Sequence, residues 1–134
     1  MTNKVASIEL HKAINLALKG NYRVTEVKSL NPNFPFIEIG EFIELDTLNK
    51  TNNRPLFHAT IHTFSRSQNS IESKQMNEFV KDKIMNLSNV QGFNVDMTKL
   101  DNIFTLKEIE EQKETVFHGV LQIEIQLTEE TRNK

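Results

Sequence analysis

Two stretches of period-two alternation, separated by a polar run, limit what this chain can fold into more than anything else in it. In residues 34–45, Ile37, Ile39, Ile43 and Leu45 share one face, with Glu38 and Glu44 opposite. In residues 56–65, Phe57, Ala59 and Ile61 share one face, with His58, Thr60 and His62 opposite. Such alternation marks strands of a sheet with one face covered and one open. The rest of the chain must therefore supply cover and further strands.

Two amphipathic segments offer the cover. Residues 4–19 read as a helix that Thr2 or Asn3 can cap and that Gly20-Asn21 ends as a left-handed cap would. Its stripe is Leu10, Ala13, Ile14, Ala17 and Leu18, preceded by Ile8. Residues 70–87 read as a second helix, with Met76, Phe79, Val80, Ile84 and Leu87 on one stripe. Asn69 and Glu72 stand at capping-box spacing before it. A short strand is expected at residues 22–28, then a turn at Asn31-Pro32-Asn33. Residues 88–96 read as a connection, with Gly92 allowing a tight bend, and 99–106 as a strand. Residues 107–114 read as a charged connection and 117–127 as the closing strand, whose alternation only Val120 breaks.

The order is α-β-β-β-α-β-β. It predicts an α+β domain: a mostly antiparallel sheet of four to five strands with two helices packed on one face. The open face is expected to be polar, carrying Glu38, Glu44, His58, Thr60, His62, His118, Gln122, Glu124 and Gln126. Residues 1–128 form the single domain, and 129–134 a polar tail expected to be mobile. At 134 residues and 37% hydrophobic, the chain suits one domain with a real core. There is no basic region followed by an apolar run at the N-terminus, and no apolar run approaches a membrane span. The expectation is a soluble intracellular chain.

The composition also narrows the chemistry. Sixteen basic against eighteen acidic residues give a net charge of −2, which argues against a phosphate-tracking surface. Cysteine is absent, so there is no thiolate nucleophile and no cysteine-based zinc site. His58 and His62 share a strand face about 13 Å apart at roughly 3.3 Å per residue, too far for one metal. His118 approaches one of them if the closing strand pairs beside theirs, and Glu124 or Glu38 would then complete a zinc set. The plainer reading is solvated histidines on a polar face, so no metal and no cofactor are expected. Glu38, Glu41, Glu44 and Asp46 mark no cleft, and Ser65 and Ser67 lie in no nucleophile elbow. No enzyme is expected.

Of the phenylalanines, Phe57, Phe79, Phe104 and Phe117 are expected in the core. Phe34, Phe36, Phe42 and Phe64 fall nearer edges or on the second face, where an aromatic patch can serve as a protein interface. Residues 46–55 form a long polar loop whose one apolar anchor is Leu48.

Three motifs resemble a known family. Phe34-Pro35-Phe36-Ile37-Glu38-Ile39-Gly40-Glu41 resembles the aromatic-Pro-aromatic, alternating, Gly-Glu segment of the tail-completion proteins of long-tailed bacteriophages, also called tail terminators or head-to-tail joining proteins. Ile61-His62-Thr63-Phe64-Ser65-Arg66-Ser67 is similar to that family's strand end, and His118-Gly119-Val120-Leu121-Gln122-Ile123 to its closing strand. The match spans about residues 8–127. Phe36 and Phe64 depart from the Tyr and Trp common in relatives, which bears on which surface meets which partner.

The resemblance implies a structural virion protein that caps the head-proximal end of the tail tube and joins the tail to the capsid connector. It implies a hexameric ring through whose lumen DNA passes without specific binding. The implied partners are further copies of the chain, the tail tube protein and the head connector or head-completion protein, with no membrane. The implied location is the head–tail interface of the virion, and the host cytoplasm during assembly. Candidate contact residues are Asp46, Leu48, Asn49, Lys50, Asn52, Asn53 and Arg54 in one connection, Glu108, Glu110, Glu111 and Lys113 in the other, and Phe34 and Phe36 at the strand edge. Two other functions compete: a monomeric protein- or peptide-binding module using the edge at Pro35, and a small enzyme using His58, His62 or His118.

Overall fold

A computed structural model describes residues 4–26, 33–45, 54–67, 69–109 and 115–130. Its elements are α1 (Ala6–Leu18), β1 (Arg23–Thr25), β2 (Phe36–Leu45), β3 (Leu56–Ser65), α2 (Ile71–Met85), β4 (Phe93–Ile109) and β5 (Thr115–Glu129). The strands form one sheet in the order β1-β2-β3-β5-β4. Only β1 and β2 run parallel; the other pairs are antiparallel. The fold is the α+β arrangement that the element order predicts.

Both helices cover the same face. Leu10, Ile14 and Leu18 of α1 and Met76, Val80 and Ile84 of α2 are fully buried against Ile37, Phe57, Ile61, Leu121, Ile123 and Ile125. Phe79 is half-buried, with its ring edge-on to Tyr22 at 5.2 Å. Each Leu or Ile enclosed this way contributes roughly 1.5–3 kcal/mol. Among the described residues, no helix is long and apolar enough to cross a membrane.

Several local expectations give way. Helix α1 starts at Ala6 with Val5 flanking it, so Thr2 and Asn3 lie outside the described residues and Ile8 faces solvent at 51% exposure. Its last residue is followed by extended Lys19 and by Gly20 at φ 149°, a glycine conformation that is not the left-handed cap. The capping box before α2 does not form. The Asn69 side-chain oxygen accepts from Ile71 N at 3.0 Å, while the Glu72 carboxylate accepts from the Ser65 hydroxyl. Glu72 thus ties the helix to the sheet instead of closing its own first turn.

The largest departure is β4. Residues 93–96 and 107–109, expected in connections, belong to the strand, because β5 pairs with β4 from Phe93 to Ile109. Strand β5 likewise runs to Glu129, and Glu130 N donates to Gly92 O at 3.0 Å.

Register shifts, one in β2 and two in β4, set which residues reach each face. In β2 the register shifts between Ile39 and Phe42, at Gly40-Glu41. An extra residue inverts the alternation after it. Phe42 therefore joins the helix-covered core, while Ile43 leaves it and pairs with His58 on the open face at 56% exposure. Leu45 moves with Ile43, and Glu44 moves to the other side opposite Phe57. The bulge needs its glycine: a Cβ on Gly40 would sit 2.8 Å from Thr60 O and 2.9 Å from the His62 ring. In β4 the register shifts between Val95 and Met97 and again between Leu100 and Asn102, which leaves Asp96 and Asp101 without cross-strand partners.

Candidate interaction surface

The open face is built in rows that cross the sheet. Strand pairing aligns Phe36, Phe64, His118 and Leu106 in one row across β2, β3, β5 and β4, and Glu38, His62, Val120 and Phe104 in the next. Asn102 and Gln122 follow, with Asn102 donating to Gln122 at 3.0 Å. Ile43, His58, Glu124 and Lys99 come after the bulges.

The first row is a stack of rings. Phe36 lies on Phe64 at 4.7 Å and 16°, and Phe64 on His118 at 4.3 Å and 19°. Phe34 meets Phe36 edge-on at 5.3 Å, and the Arg66 guanidinium lies over the Phe34 ring at 4.2 Å. Such stacks exceed area burial alone by roughly 0.5–1.5 kcal/mol per pair. Phe36, Phe64 and Val116 form a second small core here. The face is therefore not uniformly polar: its end near β1 and the β4–β5 tip is aromatic. Val120 also finds its reason, since it is buried at 6% exposure between His62 and Phe104.

The histidines separate into two sets. His62 and His118 share a hydrogen bond, Nδ1 to Nε2 at 2.8 Å, one imidazole donating to the other. Their outer nitrogens face Glu41 at 3.6 Å and Glu108 at 3.5 Å. His58 stands apart, with its Nε2 2.7 Å from a Glu124 carboxylate oxygen.

The candidate contact residues fall out as follows. Asp46, Leu48, Asn49, Lys50, Asn52, Asn53, Glu110, Glu111 and Lys113 lie outside the described residues. Arg54 pairs with Asp96 at 3.4 Å and reaches Gln126 at 3.5 Å. Phe34 is half-buried at the rim, whereas Phe36 is 1% exposed and supports the stack from beneath. Glu108 belongs to β4, not to a connection.

A run of exposed apolar residues on β4 was not among the expected contact residues. Ile103, Phe104, Leu106 and Ile109 are 40%, 41%, 45% and 72% exposed within seven residues of β4. Phe104 is thus not core: its row places it on the open face, which neither helix covers. The signal was the apolar content of both faces of residues 99–106, which calls for cover that the described residues do not fully provide. Phe57 and Phe117 are buried as expected.

A virion structure contains a chain with this fold. That structure is described as the virion of a native gene transfer agent particle. The match has a TM-score of 0.77 at 11% identity and covers 94% of this chain and 99% of that one. No protein-family model matches the sequence, and no curated protein does.

Proposed function

We propose that this chain is a structural virion protein of a phage-like particle. In this reading it caps the head-proximal end of the tail tube and joins the tail to the capsid connector as a hexameric ring, without enzymatic activity. The observation that carries the reading is a fold shared over 94% of this chain with a virion chain, on a sequence with three segments that resemble those of tail-completion proteins. The distal half of β4 supports the reading, because exposed apolar residues cluster there and such patches are a common feature of protein interfaces. Closing a ring requires two different patches of each subunit to meet. The aromatic end of the open face and the distal β4 residues supply apolar surface. A net charge of −2 suits a wall past which DNA slides without being held.

The test is electron microscopy of a lysate in which this reading frame is interrupted. Filled heads beside separate tails, some abnormally long, are the expected result. Complete particles of ordinary appearance would overturn the role.

One feature favours a second reading, the monomeric peptide-binding module. Among the described residues, strand β1 pairs with Phe36, Ile37 and Glu38 of β2, and a groove of about 530 Å³ nearby is lined by residues that include Ile8, His11, Gly40 and Phe42. Shift changes along residues 34–42 in a peptide titration would favour it, and flat titrations would remove it.

A further inference from the structure

We propose that His58, Asp101 and Glu124 bind a first-row divalent cation such as Zn²⁺, on the end of the open face away from the ring stack. The three side chains come from β3, β4 and β5, and one donor atom of each lies within 4.8 Å of the other two. Direct cross-strand pairing sets His58 opposite Glu124. The third ligand depends on the β4 bulge between Leu100 and Asn102. Asp101 is the extra residue between Leu100 and Asn102, and it has no partner in the ladder. Bulges re-aim side chains in this way, and here the carboxylate reaches the His58–Glu124 pair.

The donor set favours this class of ion. One imidazole and two carboxylates suit zinc, cobalt or manganese better than the oxygen-only sets of magnesium and calcium or the thiolate sets of copper(I). A neutral imidazole with two carboxylates carries a charge of −2, which a divalent cation neutralises. The group now facing Asp101 is the Lys99 ammonium at 3.9 Å, on a side chain 64% exposed, and solvent weakens that pair. Metal–ligand bonds of about 2.0–2.2 Å require His58 and Glu124 to part slightly from their 2.7 Å contact. Side chains that are 42% and 23% exposed have room to do so. Three protein ligands leave a fourth tetrahedral position for water or for a group from a neighbouring molecule. A cation here would tie three strands together where no helix covers them.

The other histidine cluster does not compete on these terms. His62 and His118 bond to each other, and their outer nitrogens face Glu41 and Glu108.

The test is calorimetric titration of the metal-free full chain with Zn²⁺, with the visible spectrum of bound Co²⁺ as a second readout. Saturable binding of one ion per chain is expected, with a cobalt spectrum of a four-coordinate N/O site. His58→Ala and Asp101→Asn should each weaken binding by more than the ~10–100-fold that a lost outer partner costs. His62→Ala and His11→Ala should bind as the unaltered chain does. Circular dichroism confirms that each variant is folded, and Asp101→Asn stands in if His58→Ala is not. Absence of saturable binding would overturn the site. So would binding that survives both His58→Ala and Asp101→Asn, or that is lost in His62→Ala or His11→Ala.

Discussion

The two faces of the sheet bury aromatic rings by different means. On the covered face, Phe57 is fully enclosed beneath α1 and α2, in the layer that also holds Ile61 and Leu121. On the open face, Phe64 is nearly as buried at 4% exposure, yet no helix lies over it. Its cover is lateral: Phe36 on one side and His118 on the other, each stacked within 5 Å. Enclosure by a second layer resists collapse and leaves a cavity when a side chain is removed. Enclosure by neighbours in the same sheet leaves a notch that water can fill. Low exposure therefore hides two different energetic situations in one small domain.

The largest expected effect tests this difference. Phe57→Ala should cost about 3–5 kcal/mol, since it removes transfer energy and opens a closed cavity. Phe64→Ala should cost only the transfer part, roughly 1.5–3 kcal/mol. Urea unfolding of both variants measures the gap, and equal losses would mean that the ring stack is as closed as the helix-covered core.

Next in size is a polar bridge inside the covered face. The Thr63 hydroxyl donates to the Asn77 side-chain oxygen at 2.7 Å, and the Asn77 amide donates to the Thr105 hydroxyl at 3.1 Å. Gly119 lies between Thr63 and Thr105 in the sheet. A Cβ there would stand 2.2 Å from the Asn77 oxygen and the Thr63 hydroxyl, so the glycine makes room for the bridge. Gly119→Ala should cost about 1–3 kcal/mol through this clash. Combining it with Asn77→Ala should give less than the sum, because the clash and the bridge involve the same atoms. Additive losses would separate the glycine from the bridge.

How much of this could be read beforehand follows from the period-two rule and where it breaks. The helix stripes, the strand order along the chain and the buried Phe57, Ile61 and Leu121 follow from periodicity alone. Ile43 and Glu44 exchanged faces because one extra residue at Gly40-Glu41 inverts all that follows it, and alternation cannot reveal an inserted bulge. The extra length of β4 was hidden because residues 93–98 and 107–109 are held by β5, not by their own propensity. His62 and His118 were named as chemistry-bearing groups, but only strand order shows that they meet. Asp101 gave no signal, since its approach to His58 depends on a bulge in β4.

A smaller stability effect separates interface from core on β4. Phe104 and Leu106 are 41% and 45% exposed, so Phe104→Ser and Leu106→Ser should change unfolding free energy by less than about 1 kcal/mol each. If this strand meets a partner, both variants should fold normally and lose assembly into tails. A folded variant that still assembles would move the contact elsewhere.

The smallest expected change concerns Arg54, the candidate contact residue that the structure pairs internally. Its guanidinium is 3.4 Å from the Asp96 carboxylate, on side chains 42% and 31% exposed. Ion pairs this solvated contribute roughly 0–1 kcal/mol and weaken in salt. Arg54→Ala should thus leave stability within about 0.5 kcal/mol of the unaltered chain. Its effect on tail joining then reads the residue's outward role, because so little of it is spent within the fold. Loss of joining at unchanged stability would place Arg54 at a partner, and unchanged joining would leave it a strand-end tether between β3 and β4.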